Sequence, residues 1–213
     1  MFRKIDFSGD PHRQKHFDFF RSMGQAHFNV TAPVDIRPFL NKIKRKNLSF
    51  TPVMVYTLAK VANEIPAFQQ RIRGEEAIEH DLVHPSFSIR TKASSVFSFC
   101  YVDFQEDFRA FYQDTLEAME RAQSNPSFED APGRDDLLFF STLPWIPFTG
   151  LQHAMHTETA DCIPRITWGK YEDEGGKTKI PLSVQAHHSL VDGIHMGLFF
   201  EKFAHYAQNP NFI

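Results

Sequence analysis

Two adjacent histidines and a nearby carboxylate are the side chains best placed to do chemistry. They lie near the C-terminal end, in the run His187-His188-Ser189-Leu190-Val191-Asp192-Gly193. A neutral imidazole can remove the proton of an alcohol near neutral pH, which is the usual requirement of acyl transfer to a hydroxyl. The sequence holds 11 histidines, so a purely structural role is the alternative. These residues alone leave both interpretations open.

A metal site is a further interpretation of the same cluster. His188 and Asp192 are four residues apart, His195 follows them, and imidazole and carboxylate groups both bind zinc. The spacing matches neither a His-Glu-x-x-His nor a Cys-x-x-Cys pattern, and no third ligand is obvious. We therefore predict that no metal is bound.

The run also fits the pattern His-His-x-x-x-Asp-Gly, and the sequence resembles the chloramphenicol acetyltransferase superfamily. That superfamily includes dihydrolipoyl acyltransferase cores and the condensation domains of peptide synthetases. More segments match in family order, from about residue 3 to 206: Arg13-Gln-Lys-His-Phe17, Phe50-Thr-Pro-Val-Met54, Asp81-Leu-Val-His-Pro85, Ser141-Thr-Leu-Pro-Trp145, Thr167-Trp-Gly-Lys-Tyr171 and Pro181-Leu-Ser-Val-Gln-Ala-His-His188. The resemblance therefore covers nearly the whole chain.

The resemblance implies an O-acetyltransferase that moves acetyl from acetyl-CoA to a hydroxyl of chloramphenicol, inactivating the antibiotic. His188 then corresponds to the general base. Ser141 corresponds to the donor that stabilises the tetrahedral oxyanion, and Thr167 to a residue that polarises the intermediate through a bound water. Such chemistry needs a base, an oxyanion donor and two substrates held in line.

Other residues are expected to shape the site. Asp192 matches an aspartate that forms a buried pair with an arginine, here Arg13, beneath the active site. Breaking a buried ion pair is costly, because it leaves one charge without a partner. Gly193 is expected to allow a tight turn from strand to helix. His187 and His195 are expected to pack around the site.

For the coenzyme, the resemblance points to Trp145, Lys170 and Tyr171. Many family members carry a basic residue immediately before Phe50, where this sequence has Ser49. The run Lys44-Arg45-Lys46 is therefore an alternative source of phosphate contacts, although such a run is usually a solvated helix end.

For the acceptor, Phe19 and Phe20 match an aromatic pair whose second member is often Tyr, so a phenol oxygen is missing here. His153 replaces an apolar residue of the same pocket. These departures keep open a same-family acetyltransferase that acts on a different hydroxylated acceptor.

The elements that position these residues predict an α+β fold: a two-layer sandwich of helices on a mostly antiparallel sheet. Apolar periodicity and capping residues predict helices over residues 11–23, 35–46, 52–65, 105–122 and 193–208. Alternating and β-branched segments predict strands at 2–7, 27–34, 87–90, 96–102 and 137–143, with a hairpin of 163–172 and 177–187 around Gly175-Gly176. Residues 124–136 and 146–162 are predicted as loops.

Composition limits the alternatives. The 213 residues fit a single domain over 1–213. A net charge of −3 favours neither nucleic acid nor an anionic membrane as a partner. No leader-like or membrane-spanning segment is evident, and Cys100 and Cys162 fit reduced thiols, so a cytoplasmic location is expected.

The chain holds one lobe of the kind that condensation domains carry twice. The resemblance therefore implies a homotrimer, in which His188 of one subunit faces a pocket built largely by its neighbour. The alternatives are a multienzyme core, whose lipoyl domain and Ala/Pro-rich linkers are not found here, and a non-enzymatic protein that binds the antibiotic.

Overall fold

A computed structural model describes residues 1–128, 133–155 and 161–213. Its helices are α1 (Pro11–Arg21), α2 (Arg37–Arg45), α3 (Phe50–Asn63), α4 (Pro66–Gln69), α5 (Phe108–Ser124) and α6 (Gly193–Gln208). Its strands are β1 (Phe2–Lys4), β2 (His27–Asp35), β3 (Gln70–Arg73), β4 (Glu76–His80), β5 (His84–Arg90), β6 (Phe97–Tyr101), β7 (Leu137–Leu143), β8 (Arg165–Gly169), β9 (Glu172–Glu174) and β10 (Lys177–His187).

The main sheet has the order β2-β10-β8-β7-β5-β6, and β9 pairs with β10. Its strand pairs are antiparallel except for β5 with β7 and β7 with β8. The predicted α+β class with a mostly antiparallel sheet is confirmed. The predicted hairpin turn is confirmed, but its first arm is divided into β8 and β9, both paired with β10. Gly175 and Gly176 both have positive φ, as a tight turn of this kind requires.

The strand predicted at 2–7 is present as the shorter β1 (Phe2–Lys4), but β3, β4 and the small sheet of order β1-β4-β3 were not predicted from the sequence. The strands β3 and β4 carry charged side chains between their few apolar residues, which hides the alternation that marks a strand. The predicted loops lie partly outside the described residues, at 129–132 and 156–160.

The apolar core lies between one face of the main sheet and the helices. Alternate residues of β10, namely Ile180, Leu182, Val184 and Ala186, are fully buried on this face. Helix α3 is buried along nearly its whole length, so it lies inside the helical layer rather than on its surface.

The opposite face of the same strands is polar. The pairing registers place four hydroxyl residues at one level on four neighbouring strands: Ser141, Thr167, Ser183 and Thr31. Because side chains alternate along a strand, all four point away from the helices. The sheet therefore presents a row of hydroxyl groups on its second face.

Two further predictions concern the whole chain. Cys100 and Cys162 are both buried free thiols, as expected. Among the helices of the described residues, none is both long enough and apolar enough to cross a bilayer.

Candidate active site

His188 lies just beyond the end of β10, in a nest of aromatic rings. Its imidazole stacks on Phe20 of α1, with ring centroids 3.9 Å apart, and lies 4.4 Å from the Phe28 ring. His16 meets it edge-on at 5.5 Å. The side chain keeps a quarter of its surface exposed, so the ring is held in place without being sealed in.

The two nitrogens of His188 differ in their surroundings. Nδ1 is buried and has no hydrogen-bond partner, and it lies 3.9 Å from Asp192 Oδ1. Because Nδ1 is buried, Nε2 is the nitrogen left to meet a substrate.

Asp192 acts as the N-terminal cap of α6. Its carboxylate accepts a hydrogen bond from the Gly193 N–H at 2.7 Å, and its own N–H donates to His195 Nδ1 at 2.9 Å. The Gly193 N–H lowers the pKa of the Asp192 carboxyl, and the neighbouring His188 adds to this. The side chain is 54% exposed, because the charge is satisfied at the helix end rather than in the interior.

The expected buried pair between Arg13 and Asp192 is wrong. In the described part of the chain, the Arg13 guanidinium makes no ion pair with that carboxylate. It donates instead to the carbonyl oxygens of Ser189 at 2.7 Å and Leu190 at 3.1 Å, and to His16 Nδ1 at 2.9 Å. Arg13 therefore holds the backbone of the turn that carries both His188 and Asp192.

The expected role of Gly193 is also wrong. Its φ is not positive, and a Cβ added there would meet nothing within 4 Å. The turn into α6 therefore needs no glycine on conformational grounds.

His187 differs sharply from its neighbour. It is buried against the edge of His27, and its Nδ1 accepts a hydrogen bond from the Ser189 N–H. Burial lowers the pKa of His187 to about 4, and His27 contributes further, so this imidazole is neutral at neutral pH.

A second group of polar residues lies on the hydroxyl-bearing face of the sheet. Ser141 and Thr167 are register partners on β7 and β8, and their oxygens are 2.6 Å apart. Thr167 Oγ1 also lies 3.0 Å from His153 Nε2. Burial, with a smaller effect from Arg165, lowers the pKa of His153 to about 4. The structure thus joins three predicted site residues in one hydrogen-bonded chain.

The segment that carries His153 is fixed at several points. The His153 N–H donates to Gln185 Oε1 at 3.2 Å. A Cβ at Gly169 would lie 2.6 Å from Pro181 Cγ and 2.9 Å from the Phe148 ring. Only glycine therefore lets Phe148 pack so closely on β8.

His188 and Ser141 of one chain do not meet. Ser141 on β7 is level with Ser183 on β10, two strands away across the sheet. Ser183 in turn lies five residues before His188 along the chain. With strands about 4.8 Å apart and a rise of about 3.3 Å per residue, the two Cα atoms are roughly 19 Å apart. A base and an oxyanion donor must each lie about 3 Å from the reacting atoms, so one chain holds two separate half-sites.

The predicted coenzyme residues form a third group. The Lys170 N–H donates to the Ile146 carbonyl at 3.0 Å, which brings the segment after β8 beside the segment that contains Trp145. The Trp145 side chain is 65% exposed, and Tyr171 is also exposed, with its ring 6.0 Å from Phe50. These side chains leave a surface of aromatic rings and one lysine open to a ligand.

A cavity of about 380 Å³ lies between the start of β2 and the segment 149–155. Four amide side chains contribute to its wall: Gln25, Asn29, Gln152 and Gln185. The predicted acceptor residue Phe19 lies outside this lining, largely exposed, with its ring against Phe20.

A metal could be held by three groups around the base. Donor atoms of His16, His188 and Asp192 lie within 4.8 Å of one another, whereas His195 is engaged by the Asp192 N–H. Arg13 can only donate, so its contact leaves the neutral His16 with its proton on Nε2, the nitrogen a metal would need. The prediction that no metal is bound stays a prediction.

Sequence reasoning missed His16, Phe28 and Gln185. His16 lies three residues after Arg13 on a helix, a spacing that brings side chains together, and this was an available signal. Phe28 and Gln185 come to the site because their strands pair with neighbours in the sheet. The sequence alone does not predict that pairing.

Comparison with known proteins identifies the family of this chain. The chloramphenicol acetyltransferase family model matches residues 1–204. A chloramphenicol acetyltransferase of Bacillus pumilus is 30% identical over 202 residues, covering 94% of this chain and 91% of the relative. One of Klebsiella sp is 29% identical over 196 residues, covering 92% and 90%. A solved chloramphenicol acetyltransferase structure, 24% identical, has a TM-score of 0.84 over 97% of this chain and 99% of its own.

The family match makes this chain an acyltransferase. The chain belongs to the chloramphenicol acetyltransferase family.

The contacts of Arg13 predict a combined loss of stability and activity in Arg13→Ala. Hydrogen bonds that involve a charged group contribute about 1.5–3 kcal/mol, so the melting temperature falls by several degrees. Thermal denaturation monitored by circular dichroism gives the change, and turnover is expected to fall with it, because the turn carrying His188 loses its clamp.

Lys15→Ala, an exposed change on the same helix, is the control and should alter neither property. An Arg13→Ala protein that melts at the wild-type temperature would contradict the assignment.

Proposed function

We propose that this enzyme transfers acetyl from acetyl-CoA to a hydroxyl group of chloramphenicol, with His188 as the general base. The observation that carries the proposal is the His188 ring, which stacks on Phe20, keeps a quarter of its surface exposed and has its Nδ1 buried. Nε2 removes the hydroxyl proton, and the alcohol oxygen attacks the thioester carbonyl. The tetrahedral intermediate then collapses, and the departing thiolate takes the proton from His188.

Ser141 donates a hydrogen bond to the oxyanion of that intermediate. Ser141 forms a polar edge where negative charge would develop, and the buried Thr167 hydroxyl oxygen lies 2.6 Å from Ser141 Oγ. This edge is on the second face of the sheet, away from the aromatic nest around His188.

Because the half-sites of one chain are separate, a complete site requires two chains. We expect a homotrimer in which the His188 side of one subunit faces the Ser141 side of the next. A ring of three identical, head-to-tail interfaces closes on itself and completes three sites. The separation of His188 from Ser141 across the sheet supports this assembly.

Acetyl-CoA lies along the exposed aromatic surface of Trp145 and Tyr171, beside Lys170. The basic run Lys44-Arg45-Lys46 ends four residues before Phe50, whose ring contacts Tyr171. Exposed cations at that position suit the phosphate groups of the coenzyme.

A different hydroxylated acceptor is the second candidate. The residue expected to be apolar in the acceptor pocket is here an imidazole in contact with Thr167. The nearby cavity is rich in amide groups, which suits an acceptor with more hydrogen-bonding groups than an aromatic pocket would select.

Release of free thiol from acetyl-CoA tests the proposal. The assay contains EDTA and compares chloramphenicol with a panel of other alcohols and with water alone. We expect rapid, saturable thiol release with chloramphenicol that EDTA does not reduce.

Faster release with another alcohol would replace the acceptor and keep the acetyl transfer. No release with any alcohol would contradict the function. Native mass measurement tests the assembly, since a trimer has three times the chain mass of 24.7 kDa and a multienzyme core has far more.

A further inference from the structure

His153 occupies an unusual place in the oxyanion half-site. Its Nε2 lies 3.0 Å from Thr167 Oγ1, and that oxygen lies 2.6 Å from Ser141 Oγ. Thr167 is fully buried, so its hydroxyl has these two neighbours and no access to solvent. The three groups form a short chain that begins at an imidazole and ends at the proposed oxyanion donor.

The direction of the two hydrogen bonds that join these three groups decides whether Ser141 can donate to an oxyanion. Each hydroxyl has one proton to donate. If His153 Nε2–H donates to Thr167, the Thr167 hydroxyl donates to Ser141 Oγ, and the Ser141 proton is free to point at a substrate. If Nε2 instead accepts from Thr167, the Ser141 proton is drawn inward to Thr167 and no donor is left for an oxyanion.

A mixed arrangement is unfavourable. Were both His153 and Ser141 to donate to Thr167, the Thr167 proton would be left without a partner in a buried position. An unsatisfied buried donor costs free energy, because it has lost its hydrogen bonds to water.

We propose that His153 is a positioning residue which, through Thr167, turns the Ser141 hydroxyl proton outward to the acyl oxygen. The inference rests on the proposed role of Ser141 in acetyl transfer. The His153 side chain is held in this position because the His153 backbone N–H donates to Gln185 Oε1. Gln185 lies two residues along β10 from Ser183, which is level with Ser141. The His153 imidazole stays uncharged at neutral pH, because burial lowers its pKa to about 4.

Two substitutions separate this role from a packing role. His153→Gln places an amide N–H near the position of Nε2, whereas His153→Leu fills the space without a donor. We expect His153→Leu to lower kcat by roughly tenfold or more, short of the 10²–10³ that loss of an oxyanion donor typically costs. His153→Gln should retain most of the activity, and neither change should alter the KM for acetyl-CoA.

The test is made in the assembled enzyme with acetyl-CoA and chloramphenicol, or the panel alcohol that releases most thiol. It is repeated in a Ser141→Ala background, where His153→Leu should have no further effect. Additive losses, an unchanged kcat in His153→Leu, or a rise in the acceptor KM alone would each overturn the proposal. A Ser141→Ala enzyme of wild-type activity would instead remove the oxyanion assignment on which it rests.

A measurement that needs no variant examines the same point. Nitrogen-15 NMR of histidine-labelled protein distinguishes the two neutral tautomers. A proton on Nε2 of His153 is the expected result, and a proton on Nδ1 would overturn the proposal.

Discussion

Replacing His188 by alanine is expected to lower turnover at least a hundredfold while the protein stays folded. A positioned general base contributes about 10²–10⁴ in rate, and His16, the imidazole beside the His188 ring, has its Nδ1 engaged by Arg13. Thiol release from acetyl-CoA measures the loss. Circular dichroism and the melting temperature establish that the fold survives.

His12→Ala is a matched control, because His12 is exposed on α1 near the same site. It should keep wild-type turnover. Near-normal thiol release by a folded His188→Ala enzyme would refute the assignment of the base, whatever acceptor is used.

Ser141→Ala is expected to lower kcat by about 10²–10³, the usual cost of removing one donor from an oxyanion site. The KM for acetyl-CoA should change little, because the hydroxyl acts on charge that develops only in the transition state. Steady-state kinetics in both substrates separate the two effects.

Thr142→Ala is the comparison for this variant. Thr142 is the next residue on β7 and therefore points to the other face of the sheet. It should leave kcat unchanged. If Ser141→Ala weakened coenzyme binding and nothing else, its role would be binding and not oxyanion stabilisation.

Much of the fold could be predicted from the sequence. The long strand β10 and helix α6 follow from strong periodicity, and the hairpin between β9 and β10 follows from Gly175-Gly176. The strand β1 falls within a predicted strand, but β3, β4 and their pairing into a small sheet could not be predicted, since short strands rich in charged residues show no clear alternation.

The site was less predictable, for physical reasons. The sequence places opposite charges at Arg13 and Asp192, but it does not show that a helix N-terminus satisfies the carboxylate and that backbone carbonyls satisfy the guanidinium. The order of the strands in the sheet likewise cannot be predicted from the spacing of residues. The distance between His188 and Ser141, and the contact of His153 with Thr167, emerge only once β7, β8 and β10 are paired.

The separation of the two half-sites has a consequence for how this chain tolerates change. In the proposed trimer, each active site takes residues from two neighbouring subunits. A substitution that weakens the subunit interface therefore lowers activity without changing a reacting group. A trimer assembled from two different variants illustrates this. A subunit without the general base still supplies an intact Ser141 side to its neighbour. A base variant and an oxyanion variant can then form one intact active site between them in the same trimer.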